Sequence, residues 1–264
     1  MDPRILTLDT VGSGDSVVLV PGGLTGWLSW LPHQQRLRDR WQVTRVQPIH
    51  NELGSAGVVG DPSYSQETAR ESLRMTLDHL DLEQTHLAGW SAGGQQALDF
   101  TMAYPERVRS LTLVEPASYW VLARVGFEDP RLDTVNELTD GFAGRDVTED
   151  DLAMFLAFAG FAASPEEARA RPQWEGWVPH RQALSWFFRD FLSSEATLDD
   201  LRAITCPTLV VKGTITEAWE MRVVDSIGGT VQNGRVLELE GDHACHIQSI
   251  DRFLEEFESH LERA

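Results

Sequence analysis

The sequence predicts an α/β protein, with a mostly parallel sheet flanked by helices and a helical insertion between two of its strands. Three observations carry that expectation. Short β-rich runs, "RILTLDT", "SVVLV", "QVTRV", "THLAG", "SLTLV", "PTLVV" and "RVLEL", alternate with helical stretches along 264 residues. Such near-continuous apolar runs separated by helices mark parallel strands covered on both faces. Between Tyr119 and Thr197 the β-rich runs stop and helical material takes over.

Taken in order, the first three runs lead into "SQETARESLRMTLDHLDL", where Ala69, Leu73, Leu77 and Leu80 recur at helical spacing and predict an amphipathic helix. The run "THLAG" then passes into "AGGQQALDFTMAYPERV", a helix expected to end at or before Pro105, because proline disfavours a helical residue in front of it. After "SLTLV" come three helical stretches, "DDLAMFLAFAGFAA", "SPEEARARP" and "HRQALSWFFRDFLSS". "ITCPTLVVKG" and "RVLELEG" restore strand character, and Phe253, Phe257 and Leu261 mark a last helix. The expected division is a core of residues 1–118 and 198–264, with residues 119–197 forming a helical cap over the strand ends, where open α/β sheets bind ligands.

The composition, 42% hydrophobic and 24% charged, is that of a globular domain able to bury a full core. The 22 basic and 41 acidic residues give a formal charge of −19, which repels phosphate backbones and anionic lipid. The expected partner is therefore a small molecule, not nucleic acid or membrane; the oligomeric state stays open. The start, "MDPRILTLDT", lacks a basic stretch followed by an apolar run, and no window of about 20 apolar residues follows, so a cytoplasmic protein is expected. Cys206 and Cys245 are too few for a disulfide framework and are read as packing residues. The run His243-Ala244-Cys245-His246 lacks the paired spacing of a zinc site, and no metal is expected.

Chemistry is expected at "HLAGWSAGGQQ". Gly89-Trp90-Ser91-Ala92-Gly93 fits G-x-S-x-G, a sharp strand-to-helix turn that holds a serine oxygen clear of the backbone, and both flanks agree with it. A serine hydroxyl is a weak nucleophile and needs a neutral base and a group that orients the base. His243, on the loop between the last strand and the final helix after Gly241, is the expected base, with His246 as its rival.

The turn around GWSAGG, a glycine-rich loop after an early strand, the helical insertion and a late G-x-H together resemble the α/β-hydrolase superfamily over nearly the whole chain. The resemblance implies that in "VVLVPGGLTGW" the N–H of Gly23, with that of Ala92, forms an oxyanion hole, although Pro21 stands where members commonly have histidine. The loop "VQPIHNELGSAG" also departs from the D-x-R-G-x-G of many members. Most members carry an aspartate after the strand corresponding to "PTLVVKG", but here Gly213-Thr214-Ile215-Thr216 puts a threonine in that slot. Glu217 and Glu220 lie past it and are expected to face solvent, Glu217 being the alternative acid. Glu115, closing "SLTLVE", resembles the glutamate that haloalkane dehalogenases and fungal zearalenone lactonase place on that strand, and is the expected acid.

Nine tryptophans are many for this length. Trp27, Trp30, Trp90, Trp120, Trp177 and Trp186 are expected around the substrate, with Trp174 also in the cap; an aromatic lining favours an apolar or aromatic ligand. The expected activity is hydrolysis of a carboxylic ester or lactone through an acyl-enzyme, with no cofactor. The alternatives are C–C bond hydrolysis, cofactor-free oxygenation, or a ligand-binding member without catalysis.

Overall fold

In a computed structural model, described for residues 1–129, 133, 137, 141–186 and 194–264, the seven apolar runs form one sheet. The strands are β1 (Thr7–Val11), β2 (Ser16–Val20), β3 (Gln42–Gln47), β4 (Thr85–Trp90), β5 (Val108–Val114), β6 (Thr208–Gly213) and β7 (Gly234–Leu239), in the order β1-β3-β2-β4-β5-β6-β7. β1 pairs antiparallel with β3, and every other pairing is parallel. β1 begins later than the run "RILTLDT" suggests. The N–H groups of Arg4 and Leu6 donate to Ser72 Oγ and Thr76 Oγ1, 3.1 and 2.9 Å away, and are thereby held by a helix instead of the sheet.

Why the central strands lack polar alternation is visible at β2. Val18 and Val20 enter one core with Leu87, Leu111, Leu113 and Val210, whereas Val17 and Leu19 enter the other with Val43, Ala88, Leu209 and Val211. Burying each such side chain contributes about 1.5–3 kcal/mol. The first core is covered by α3 (Gln66–His79) and α4 (Ala92–Ala103), through Leu73, Leu77, Leu98 and Phe100, and by a later helix, Ala218–Thr230. The second is covered by α1 (Leu31–Leu37) and the last helix, Ile250–Leu261, through Leu37, Phe253, Phe257 and Leu261.

Local signals explain the helix ends. Ser65 Oγ accepts the N–H of Thr68 to open α3, and α4 stops at Ala103, with Tyr104 out of the helical conformation before Pro105. After α2 (Ile49–Ser55) and α5 (Trp120–Arg124), the described part of the insertion holds α6 (Glu149–Phe158), α7 (Pro165–Ala170) and α8 (Trp174–Trp177). Thr148 and Asp151 close a reciprocal capping box on α6. Of the helix expected over "HRQALSWFFRDFLSS", residues up to Ser185 form a 3-10 helix from Val178, and residues 187–193 lie outside the described residues. A third, small core gathers Phe142, Val147, Leu152, Leu156, Trp174 and Leu184 of this stretch. The remaining helices are α9 (Leu198–Ala203), α10 (Ala218–Thr230), α11 (Cys245–Gln248) and α12 (Ile250–Leu261). Among the described residues, no helix is long and apolar enough to cross a membrane.

Candidate active site

The turn from β4 into α4 exists because glycines stand on both sides of the serine. A Cβ on Gly89 would lie 2.2 Å from the carbonyl oxygen of Gly93, and one on Gly93 would lie 2.3 Å from that of Pro21. Ser91 between them has φ 54° and ψ −119°, a conformation that costs a non-glycine residue about 1–3 kcal/mol. Two bonds to the end of β5 hold it there: Ser91 N–H donates to Val114 O at 2.9 Å, and Ala117 N–H donates to Ser91 O at 3.0 Å. The serine side chain makes no capping bond to its own helix.

Glu115 follows β5 with φ 43°, its own N–H bonded to Val211 O at 2.9 Å. Its side chain is fully buried. Oε1 accepts the N–H of Gly213 at 2.6 Å and the hydroxyl of Thr216 at 2.7 Å, while Oε2 lies 3.1 Å from His243 Nδ1. Because the ionised carboxylate only accepts, Nδ1 carries the hydrogen and Nε2 is left as the basic nitrogen. Thr216, in the slot where the resemblance would put an aspartate, thus works on the displaced acid.

His243 sits on a short loop with its own fastenings. Gly241 has φ 135°, Asp242 N–H donates to Gln248 Oε1 at 2.8 Å, and Ala244 N–H donates to Asp242 Oδ1 at 2.9 Å. The indole N–H of Trp90 donates to His243 O at 2.8 Å, tying this loop to the residue before Ser91. Burial alone would lower the imidazole pKa, but the carboxylates of Glu220, Glu115 and Asp242 outweigh it, and the value stands above that of an ordinary histidine. His246 is placed differently. It is fully buried between Trp30, Trp90 and Phe253, and its ring nitrogens have no hydrogen-bond partner among the described residues. Burial, then the neighbouring histidines His33 and His243, push its pKa well below the usual value. It is the neutral packing partner of His33, whose Nε2 lies 3.0 Å from His246 O.

Asn51 holds the glycine-rich loop after β2. Its Nδ2 donates to Gly22 O at 3.3 Å and Leu24 O at 3.4 Å, one carbonyl on each side of Gly23. Among the described residues, neither Gly23 N–H nor Ala92 N–H is bonded to a backbone carbonyl. Asn51 was not legible as a site residue because its role depends on a contact with a loop far from it in sequence.

Two expectations need correction. Glu220 does not face solvent: its side chain is 5% exposed and Oε1 lies 3.7 Å from His243 Nδ1. The first turn of α10 turns this residue inward beside Trp219, whereas Glu217, before the helix, is exposed. Trp30, Trp120 and Trp186, expected around a substrate, are buried with the indole N–H bonded inside the protein. Trp30 is fully buried and donates to Val20 O at 3.0 Å; Trp120 donates to Gln95 Oε1 at 3.2 Å in the main core; Trp186 donates to Val58 O at 2.8 Å. Trp27 lies under the Arg45 guanidinium, 5.6 Å from its ring. Among the described residues, the aromatic side chains beside the imidazole are Trp90, 5.8 Å from it, and Phe161, 5.5 Å from it, with the tilted ring of Trp177 5.8 Å from Phe161. Phe161 follows α6 on a turn and was hidden in a stretch of helical periodicity.

Glu115, Glu220 and His243 are the group whose donor atoms lie close enough, within 4.8 Å, to invite a cation among the described residues. Oε1 of Glu115 and Nδ1 of His243 are already engaged in hydrogen bonds, which suits proton handling.

A strained serine turn after β4, a buried Glu-His pair after β5 and β7 and a glycine-rich loop after β2 thus stand at the same end of the parallel strands, and the sequence profile of the α/β-hydrolase fold matches residues 15–253. The chain belongs to the α/β-hydrolase family. This α/β hydrolase is similar to a 2-hydroxy-6-oxononadienedioate/2-hydroxy-6-oxononatrienedioate hydrolase of Cupriavidus pinatubonensis, with 27% identity over 222 residues covering 80% of this chain and 73% of that protein. A carboxylesterase of Bacillus subtilis matches at 30% identity over 109 residues, 40% of this chain and 35% of the relative. Among solved structures, an esterase from Exiguobacterium antarcticum superposes with a TM-score of 0.75 at 18% identity, covering 99% of this hydrolase and 100% of the other chain, a likeness of fold.

Proposed function

We propose that the protein is a serine hydrolase that cleaves a carboxylic ester or lactone of an apolar or aromatic small molecule. The observation that carries this reading is the bond from His243 Nδ1 to the buried Glu115 carboxylate, which leaves Nε2 basic on a loop tied by Trp90 to the Ser91 turn. Ser91 Oγ attacks the carbonyl carbon while its proton passes to His243 Nε2. The N–H groups of Gly23 and Ala92 stabilise the oxyanion, and Asn51 keeps the first of them aimed. The tetrahedral intermediate expels the alkoxide, which takes the proton from the imidazolium. Water, deprotonated by the same Nε2, then attacks the acyl-enzyme, and the acid is released as the C–Oγ bond breaks and the imidazolium returns its proton to Ser91 Oγ.

The helical stretch within residues 119–197 serves as the cap over this site. Its small core and the packing of Leu24, next to Gly23, against that core support the reading. Phe161 and Trp177 form the apolar wall. Cys206 and Cys245 are both unpaired, which fits a reducing compartment such as the cytoplasm. The similarity to the Cupriavidus enzyme supports a second reading, C–C bond hydrolysis on the same residues.

The test is labelling with a fluorophosphonate, followed by turnover of a panel of p-nitrophenyl esters, aromatic lactones and vinylogous ring-cleavage dienoates. Labelling of the parent but not of Ser91→Ala, with ester or lactone turnover, is the expected result. Labelling with turnover of dienoates alone selects the second reading, and no labelling of the parent rejects the serine mechanism.

A further inference from the structure

The imidazole of His243 faces two buried carboxylates, and the mechanism above uses one of them. Nδ1 lies 3.1 Å from Glu115 Oε2 and 3.7 Å from Glu220 Oε1, and the side chains of all three residues are at most 5% exposed. The two acids come from separate elements, Glu115 from the end of β5 and Glu220 from the first turn of α10. A carboxylate in the first turn of a helix is stabilised by the backbone dipoles, which normally suffices at a solvent-facing position. Inside the protein the burial of a second negative charge is costly unless a positive group accompanies it.

We infer that Glu220 is a second acid for His243, a positioning residue that shares the imidazole with Glu115 and stabilises the imidazolium formed when Ser91 gives up its proton. The inference rests on the reading of Ser91 and His243 as nucleophile and base. Among the described residues, the other titratable groups around the ring are Asp242 before it, Cys245 and His246 after it, His33 from α1 behind His246, and Tyr119 beyond β5. His33 and His246 are held neutral by burial and the Tyr119 hydroxyl is pushed up by burial and by the charges of Glu220 and Glu115, so none of these supplies a positive charge at neutral pH. Protonated His243 is a positive group within 3.7 Å of the Glu220 carboxylate.

The division of labour follows from the bonds. Glu115 has Oε1 pinned by Gly213 and Thr216, so its Oε2 is fixed in place and sets the orientation and tautomer of the ring. Glu220 stands farther from Nδ1 and acts through charge. Trp219, which stacks on Phe158 at 5.4 Å and meets Tyr119 edge-on at 4.9 Å, anchors the turn that carries it. Two consequences can be measured. Protonation of the base is favoured by both carboxylates, so the rising limb of activity with pH lies above the ordinary histidine value. Loss of Glu115 leaves a second carboxylate within reach of Nδ1.

The test combines two readouts on the full chain. The His243 imidazole is titrated by long-range 1H–15N NMR in the parent, Glu220→Gln, Glu220→Asp and Glu115→Gln; kcat/KM against pH is measured with a p-nitrophenyl ester in the same proteins and in the double Glu115→Gln/Glu220→Gln variant. In Glu220→Gln the midpoint is expected to fall by about one to three pH units in both measurements, the usual effect of removing one close opposite charge. Glu220→Asp retains the charge and most of the shift. The double variant is expected to be at least about tenfold slower than Glu115→Gln. A Glu220→Gln midpoint coinciding with the parent's, or a double variant as active as Glu115→Gln, overturns the inference. The NMR titration needs no turnover, so a parent that takes no fluorophosphonate label would reject the serine mechanism while leaving Glu220 under test.

Discussion

Replacing Glu115 by glutamine probes the orientation of the base with little change of shape, and the structure dictates how the amide must sit. Gly213 N–H is fixed 2.6 Å from Oε1, and Thr216 donates to the same oxygen at 2.7 Å, so the amide oxygen has to take that position. The NH2 group is then turned toward His243 Nδ1, where the parent has an acceptor at 3.1 Å. A donor there favours the imidazole with its hydrogen on Nε2, the wrong nitrogen for accepting the Ser91 proton. The lost attraction between carboxylate and imidazolium at that distance is about 5 kcal/mol at an effective dielectric constant of 20, or about 10⁴ in rate. With Glu220 still present, a fall in kcat of about 10² is expected, moving toward 10⁴ when both acids are neutral. Thermal unfolding should change little, since the Gly213 N–H keeps an acceptor. The assay is burst and steady-state ester hydrolysis alongside circular dichroism, with Glu217→Gln as the exposed control, expected to be silent. A Glu115→Gln enzyme within a few-fold of the parent, or a Glu217→Gln enzyme carrying the loss, would refute the assignment of the acid.

Ser91→Ala and Ser91→Gly should both lack labelling and turnover, but the glycine variant should be the more stable by about 1 kcal/mol in urea titrations, because it relieves the positive φ. His243→Ala should abolish acylation; His246→Ala should retain most of it per folded molecule while lowering stability by about 2 kcal/mol or more, through a cavity between Trp30 and Trp90. Acid should destabilise the protein through buried neutral histidines. His33 has its pKa lowered by burial to about 4, so its contribution is intact above the unfolded value of 6.5 and is lost as pH falls through that window. That loss amounts to roughly 3 kcal/mol between pH 6.5 and 4. Urea midpoints at pH 7 and pH 5 should differ less in His33→Gln than in the parent.

The sheet was legible because its strands are buried on both faces and so spell continuous apolar words. The serine turn was legible because steric demands on Gly89 and Gly93 leave a fixed spacing in the chain. Glu115 stood out as a charge closing an apolar strand. Glu220 did not: whether an acid in a first turn points in or out depends on the rotation of α10 against the sheet, set by the packing of Trp219 and Val223 into the main core. The tryptophans misled for a related reason. An indole suits a pocket wall and a core equally well, and the choice was made by N–H acceptors such as Val20 O and Val58 O, which no local pattern reveals.

The bond from Trp90 to His243 O bears on any attempt to reshape this protein for new substrates. Position 90 invites mutation as the variable letter of the serine turn, yet its ring also fills the space above Gly22, where a Cβ would lie 2.8 Å from it. Trimming the indole would shift the His243 loop and the glycine-rich loop after β2 in one stroke, so libraries that vary it would read out lost alignment as changed selectivity. Among the described residues, Phe161 and Trp177 meet the site through ring contacts, and that wall is where diversity can be introduced with the alignment left intact.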